Sequence, residues 1–362
     1  MSRHLLLEKH KLIYHPEALA KFMKGEVFAP IQVELSPSAR CNHNCHHCYT
    51  RYVMNKENSP PLLEKDLFFK IIRDCADFGV KAISFCGTGE PMVNPHTPEA
   101  IVLSKKLGVD AGLISNGALA TQEKIEPCLS SLMFIRFSFS GNTPEIYAKN
   151  QGASEEDFYN VIKNLEDIVK LRDKQKLDTT IGVAFHYFQN CDSREIVSFS
   201  KRIKETGVDY LQIKPSGDFK KNNYEYEKHA YRKVLEELEE ASTLTDDNFL
   251  CQIKIASFER LEQIAETHFA LPKKCWGLLF FTNIGSDGKV YSCAGSWYEE
   301  KDCYGSLKDH TLEEIWKSDR FKKIFNRRIC THPDLCFTQC HNIPMNEFLM
   351  DLKAPPEHIN FI

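Results

Sequence analysis

The strongest constraint on the fold is an alternation that runs through residues 31–215. Six runs rich in apolar, β-branched or aromatic residues stand at 31–35, 81–86, 111–115, 133–140, 179–186 and 210–214. Helical patterns separate most of them. Over 62–78, Leu67, Phe68, Ile71, Ile72, Cys75 and Phe78 share one face; over 155–171, Phe158, Val161, Ile162, Leu165, Ile168 and Val169 do the same. Shorter helices are expected over 98–107, closed by Gly108, and over 193–205. Strands that alternate with helices pair in parallel through crossovers, so the expectation is an α/β fold with a six-stranded parallel sheet. Gly and Asn punctuate the strand ends, where such a sheet keeps its active site.

The flanks divide the rest. Residues 1–30 read as a lead-in, with a helix over 16–24 closed by Gly25; 31–215 form the core; 216–270 read as a polar, mostly helical connector that includes a helix over 225–240. Residues 271–362 read as a small cysteine-rich α+β extension, with a hairpin turning at Gly285-Ser286-Asp287-Gly288. A hydrophobic fraction of 42% supports a sizeable core and excludes wholesale disorder. A net charge of −4 leaves no basic footprint for nucleic acid. No apolar run approaches a membrane span, and residues 1–9 are too charged for a signal peptide. Fourteen cysteines in such a chain point to a reducing cytoplasm and to metal binding rather than disulfides.

Three of those cysteines, Cys41, Cys45 and Cys48, fall in a C-x3-C-x2-C pattern just after the first strand. Three thiolates on one short loop can hold three irons of a [4Fe-4S] cube and leave the fourth open to a small molecule. A zinc site completed by His43, His46 or His47 is the rival. The loop resembles that of the radical S-adenosylmethionine (SAM) superfamily. That resemblance implies a partial six-stranded (β/α)6 barrel and SAM bound at the open iron. It implies reductive cleavage to a 5′-deoxyadenosyl radical, fed by an external electron donor such as flavodoxin or ferredoxin.

Further motifs carry the resemblance along the chain. After the second strand, Gly87-Thr88-Gly89-Glu90-Pro91 resembles the family's Gly-Gly-Glu-Pro, which meets the SAM amino group; Thr88 stands where the first Gly would be. A zinc loop does not predict this motif. Ser138 matches a SAM-contacting Ser at the end of the fourth strand, Ser140 replaces the usual Asp, and Gln151-Gly152 falls at the family's Arg-Gly. Asn190, after the fifth strand, is a further candidate SAM contact.

In the last third, Cys275, Gly288 with Cys293, and Cys330-x5-Cys336-x3-Cys340 resemble the SPASM/Twitch extension of radical SAM enzymes. Arg327 stands where that pattern has another cysteine, and none follows Cys340. The resemblance therefore implies one auxiliary [4Fe-4S] cluster on Cys275, Cys293, Cys336 and Cys340, with Cys330 and Cys303 as alternates and a zinc ribbon as the rival. Cys75, Cys86, Cys128, Cys191 and Cys251 sit in mostly apolar patterns and read as buried core.

The activity so implied is abstraction of a hydrogen from a substrate, leading to dehydrogenation or epimerisation. Cys303, read as lying in a loop, is the candidate hydrogen donor for epimerisation. Residues 1–30 are too few for a leader-peptide-binding domain, so a small polar, sugar-like substrate is favoured over a ribosomally made peptide. A non-catalytic Fe–S or zinc protein is the reading from another class.

Overall fold

The computed structural model describes residues 10–48, 50, 62–216, 234–255, 257–259, 275–329, 340, 342–355 and 357–360. Its strands are β1 (Gln32–Leu35), β2 (Ala82–Phe85), β3 (Asp110–Ser115), β4 (Leu132–Phe139), β5 (Thr180–Tyr187), β6 (Tyr210–Pro215), β7 (Leu250–Ile253), β8 (Phe281–Ile284), β9 (Lys289–Tyr291) and β10 (Cys303–Ser306). They form one sheet in the order β10-β9-β8-β1-β2-β3-β4-β5-β6-β7. From β1 to β7 every neighbouring pair is parallel, as the strand–helix alternation requires.

The crossovers are helical. α1 (Pro16–Lys24) precedes the sheet, and α2 (Lys65–Phe78), α3 (Thr97–Lys106), α4 (Gln122–Leu129), α5 (Pro144–Gln151), α6 (Glu155–Lys174) and α7 (Ile196–Glu205) join successive strands. α8 (Leu235–Ser242) leads to β7, and α9 (Leu312–Lys317), α10 (Asp319–Ile329) and α11 (Asn342–Lys353) close the chain. Local chemistry sets the bounds. Gly25 and Gly79 end α1 and α2 in the left-handed region at φ 72° and 101°. Ser154 and Asp157 form a capping box that starts α6.

Strand alternation sorts the sheet into two faces. Val33, Leu35, Ile83, Phe85, Ile135, Phe137, Val183 and Phe185 pack with Phe68, Ile71, Leu165 and Phe199 of the helices in the main core. The other face carries Glu34, Ser84, Arg136, Ser138, His186, Gln212 and Lys214, each one residue out of step with that core set. This inner face is polar: Gln32 Nε2 donates to Ser84 Oγ at 2.8 Å, and Gln212 Nε2 to Gln252 Oε1 at 2.9 Å.

Two joins go beyond the sequence reading. The region 216–270, read as helical, supplies β7, a four-residue run too short to show a period. The extension is not a separate sheet: β8 pairs in parallel with β1, Glu34 opposite Asn283, and β9 and β10 continue it antiparallel. The lead-in is also tied down, since Phe22 and Phe28 pack with Phe280 and Leu349 in a second core, and Lys353 Nζ lies 4.6 Å from the Phe22 ring centre.

Candidate functional site

The cysteine loop leaves the carboxyl end of β1, and Cys41, Cys45 and Cys48 are each partly exposed with no disulfide. Its anchor is the end of α5. The N–H groups of Asn44 and His46 donate to the carbonyls of Gln151 and Asn150, both at 3.1 Å. Gln151 is 3% exposed; its Oε1 accepts from Cys45 Sγ at 3.3 Å and its Nε2 donates to the Ser138 carbonyl at 3.0 Å. Thus the residue standing at the family's Arg position joins the cysteine loop to the end of β4. Gly152 follows at φ 57°, with the Asn44 carbonyl where a Cβ would lie. Asn190 is exposed at the same rim, and its amide exchanges hydrogen bonds with that of Asn150 at 2.7 and 3.2 Å.

Each thiol has a protein neighbour. Cys48 Sγ lies 2.9 Å from Thr50 Oγ1, and Cys41 Sγ accepts from the His43 N–H at 3.4 Å and from Asn116 Nδ2 at 3.7 Å. Burial pushes the Cys41 thiol up to about 11, with the Glu90 and Cys48 charges adding to it. Among the described residues no three Cys, His, Asp or Glu side chains are drawn together at metal-binding distance. Three thiolates on one loop suit a cube with one open iron. Of the three histidines that could complete a zinc site, His43 sits edge-on to Tyr147 with both ring nitrogens buried and unbonded among the described residues, and His47 Nε2 lies 3.2 Å from Ser140 Oγ with its ring on Phe188.

The segment after β2 closes the opposite side. A Cβ on Gly87, at φ 113°, would meet the Ser36 side chain, and one on Gly89 would meet the Ser38 and Arg40 carbonyls. Both positions therefore require Gly. Glu90 is 2% exposed; its carboxylate accepts from Ser115 Oγ at 2.8 Å, from the Asn116 N–H at 2.8 Å and from the Met92 N–H at 3.1 Å. Burial raises its pKa and those three donors oppose the shift. Through Asn116, which also donates to Asn42 Oδ1 at 2.9 Å, Glu90 fixes the β3 rim against the cysteine loop. Thr88 is 2% exposed and its hydroxyl lies 2.9 Å from Ser36 Oγ and 3.2 Å from the Tyr298 hydroxyl. Its side chain serves the join with the extension. Ser138 lies on the inner face of β4.

Cys303 is not where the sequence reading put it. It opens β10 rather than lying in a loop, is 2% exposed, and packs with Tyr291 and Trp297. Three strand positions separate it from β1, roughly 14 Å at the usual spacing. Burial raises its pKa. The β-propensity of Tyr304 was outweighed in the sequence by the flanking charges and glycine. The cysteines read as buried core are all buried; Cys75, Cys128, Cys191 and Cys251 lie in the main core, and Cys86 is buried one residue past β2 on the inner face, where its thiol donates to the Ser84 carbonyl at 3.7 Å.

In the extension, Cys275, Cys293 and Cys340 are all partly exposed. Asn346 Nδ2 donates to Cys275 Sγ at 3.5 Å and its Oδ1 accepts from the Gly277 N–H at 2.8 Å, so α11 carries the Cys340 end to Cys275. Cys330 and Cys336 lie outside the described residues. Arg327, at the position of the missing cysteine, pairs with the buried Asp302 at 2.5 Å.

Comparison with known proteins agrees with this geometry. Residues 35–199 match the Radical SAM superfamily, and residues 275–341 match SPASM, an iron–sulfur cluster-binding domain. The chain is 24% identical over 311 residues to an AdoMet-dependent heme synthase of Methanosarcina barkeri, covering 82% of this chain and 85% of that one. It is 20% identical to the PqqA peptide cyclase of Gluconobacter oxydans, covering 79% and 76%. A 34% match over 93 residues to a tungsten-containing aldehyde ferredoxin oxidoreductase cofactor-modifying protein of Pyrococcus furiosus spans a quarter (25%) of that relative's length. The fold is shared with SuiB of Streptococcus suis bound to S-adenosylmethionine, at a TM-score of 0.61, 15% identity, and coverage of 85% of this chain and 68% of that one. It is shared also with native anSMEcpe with bound AdoMet, at 0.59, 20% identity, and 91% and 98%.

Proposed function

The chain carries a radical SAM domain continued by a SPASM domain, and on that premise we propose that it is a radical SAM enzyme acting on a small polar substrate held against the inner face of its sheet. The observation that carries this is the placement of the cysteine loop. α5 and the β2 segment hold it at the carboxyl rim of the parallel strands, directly above a polar face. When bound, a [4Fe-4S] cluster and SAM supply a 5′-deoxyadenosyl radical that takes a hydrogen atom from substrate.

The chain's own residues do the rest. Cys41, Cys45 and Cys48 hold the cluster, with Gln151, Thr50 and Asn116 setting their directions. Gly87 and Gly89 let the backbone approach SAM, while Glu90 holds the Asn116 rim in place. Ser138 and Asn190 complete the SAM side. Cys275, Cys293, Cys336 and Cys340 hold one auxiliary [4Fe-4S] cluster, and the Arg327–Asp302 pair replaces the ligand that a further cluster would need. An external flavodoxin or ferredoxin supplies electrons. If the outcome is epimerisation, the thiol on the substrate face is Cys86 rather than Cys303. A peptide substrate is the second reading, favoured by the alignment with the PqqA peptide cyclase over 79% of this chain.

The test is anaerobic reconstitution with iron, sulfide, reductant and SAM. The expected result is 5′-deoxyadenosine, with about four irons and all SAM cleavage lost in the Cys41→Ala/Cys45→Ala/Cys48→Ala variant while a second cluster of about four irons remains. Stoichiometric zinc without iron, or full SAM cleavage in that variant, defeats the proposal.

A further inference from the structure

The inner face segregates charge against the trend of the chain. The protein carries a net charge of −4, yet Arg136, Lys214 and Lys254 gather on this face. The register explains how: His186 of β5 stands opposite Lys214 of β6, and the next residue after β7, Lys254, donates its N–H to the Ile213 carbonyl at 2.9 Å, beside Lys214. This row lies at the carboxyl rim, because the His186 ring faces His47 of the cysteine loop, centres 6.5 Å apart. Arg136 reaches toward the row from β4, close enough that its charge, with that of Lys254, lowers the Lys214 pKa; burial is the larger cause and the result is about 7.

Little among the described residues answers Arg136 and Lys214. Among the described residues no ion pair engages Arg136 or Lys214, and Arg136 Nε is buried with no hydrogen-bond partner. The facing carboxyl, Glu34, is pushed up to about 7 by burial, with Cys86 and Arg136 opposing the shift, so it is only partly ionised at neutral pH. Beside Glu34 on the same face, Asn283 of β8 is fully buried, and neither its Oδ1 nor its Nδ2 has a partner. Buried polar atoms are nearly always bonded, so partnerless ones on a face that meets the cysteine loop point to a polar ligand there.

We propose that the substrate carries an oxyanion, a carboxylate or a phosphate, and that Arg136 and Lys214 hold it on the inner face below the cysteine loop. The guanidinium gives a planar two-pronged contact and the ammonium a point charge. The position beneath the cysteine loop, though not the anion contact itself, rests on the radical SAM reading.

The test reads Lys214 without turnover. Reconstituted protein is acetylated with N-hydroxysuccinimidyl acetate at neutral pH, and Lys214 labelling is followed by peptide mass spectrometry. Phosphate or succinate at about four times its dissociation constant is expected to slow labelling about fivefold relative to chloride at equal ionic strength. Whichever anion protects at the lower concentration names the source. Arg136→Gln is expected to remove the protection. Should that variant fail to fold, Lys214→Met replaces it: phosphate or succinate raises the melting temperature of the wild type but not of this variant. No protection and no melting shift with either anion overturns the proposal. So does equal protection by SAM alone, which assigns the cations to the SAM carboxylate. Protection without any SAM cleavage leaves the anion site standing and removes the radical reading, while the converse removes only the anion site.

Discussion

Glu90 and Gln151 are single side chains on which the relative placement of several loops depends. Glu90 answers two N–H groups and one hydroxyl from β3 and its own turn. Glu90→Gln turns an amide NH2 toward at least one of those donors. Each donor so stranded costs about 1–3 kcal/mol, and urea unfolding of the apoprotein at neutral pH is expected to show it. The Thr88–Tyr298 contact is a second case, since Thr88 replaces the family's glycine and Tyr298 belongs to the extension. A double-mutant cycle with Thr88→Val and Tyr298→Phe is expected to give a coupling of about 0.5–1.5 kcal/mol; a value near zero means the hydroxyls bond water instead. Lys214 adds a pH signature. Its folded pKa, about 7, lies below the unfolded value of 10.5, so the unfolded chain binds more protons between those values and stability rises with pH there. Lys214→Met should therefore raise the melting temperature most below pH 7 and progressively less as pH climbs toward 10.5.

Among the elements, α5 has the largest effect on the site for its length. Its eight residues end in Asn150 and Gln151, Gly152 caps it, and these three hold the cysteine loop. Gly152→Ala puts a Cβ into the Asn44 carbonyl as well as into a left-handed backbone. The expected outcome is a displaced loop, read as a loss of up to about four irons per chain after reconstitution, with the auxiliary iron retained. This helix was not legible in the sequence. Two turns with one large buried ring, Tyr147, give no helical period, and α4 hides behind Pro127 in the same way. What was legible followed from repetition. Phe158 to Val169 mark α6 and the alternating β4 marks itself, so six strands and their parallel direction are readable from pattern, while their order in the sheet is not. The cysteine spacing announced the loop, yet spacing cannot say what supports it. The inner face was equally hidden, because its residues are far apart in the chain: register sets His186 opposite Lys214, and Arg136 enters the same face from β4, opposite Gly182.

Across the whole molecule, the extension and the core are one sheet, joined where β8 pairs with β1. A chain ending before β8 leaves β1 with an unpaired edge, and such edges recruit other chains. Truncation after residue 259 is expected to elute as aggregate on size exclusion, whereas the full chain does not. A truncated chain that stays monomeric shows that β8 is not what protects that edge. The same join has a consequence in time. Leu35 and Ile284 are register partners, so about 250 residues must be made after the first strand before its second neighbour exists. At ~5–20 residues per second, a nascent chain carries that open edge for roughly 12–50 s on the ribosome. Synthesis, more than the finished fold, is when this edge stands open to other chains.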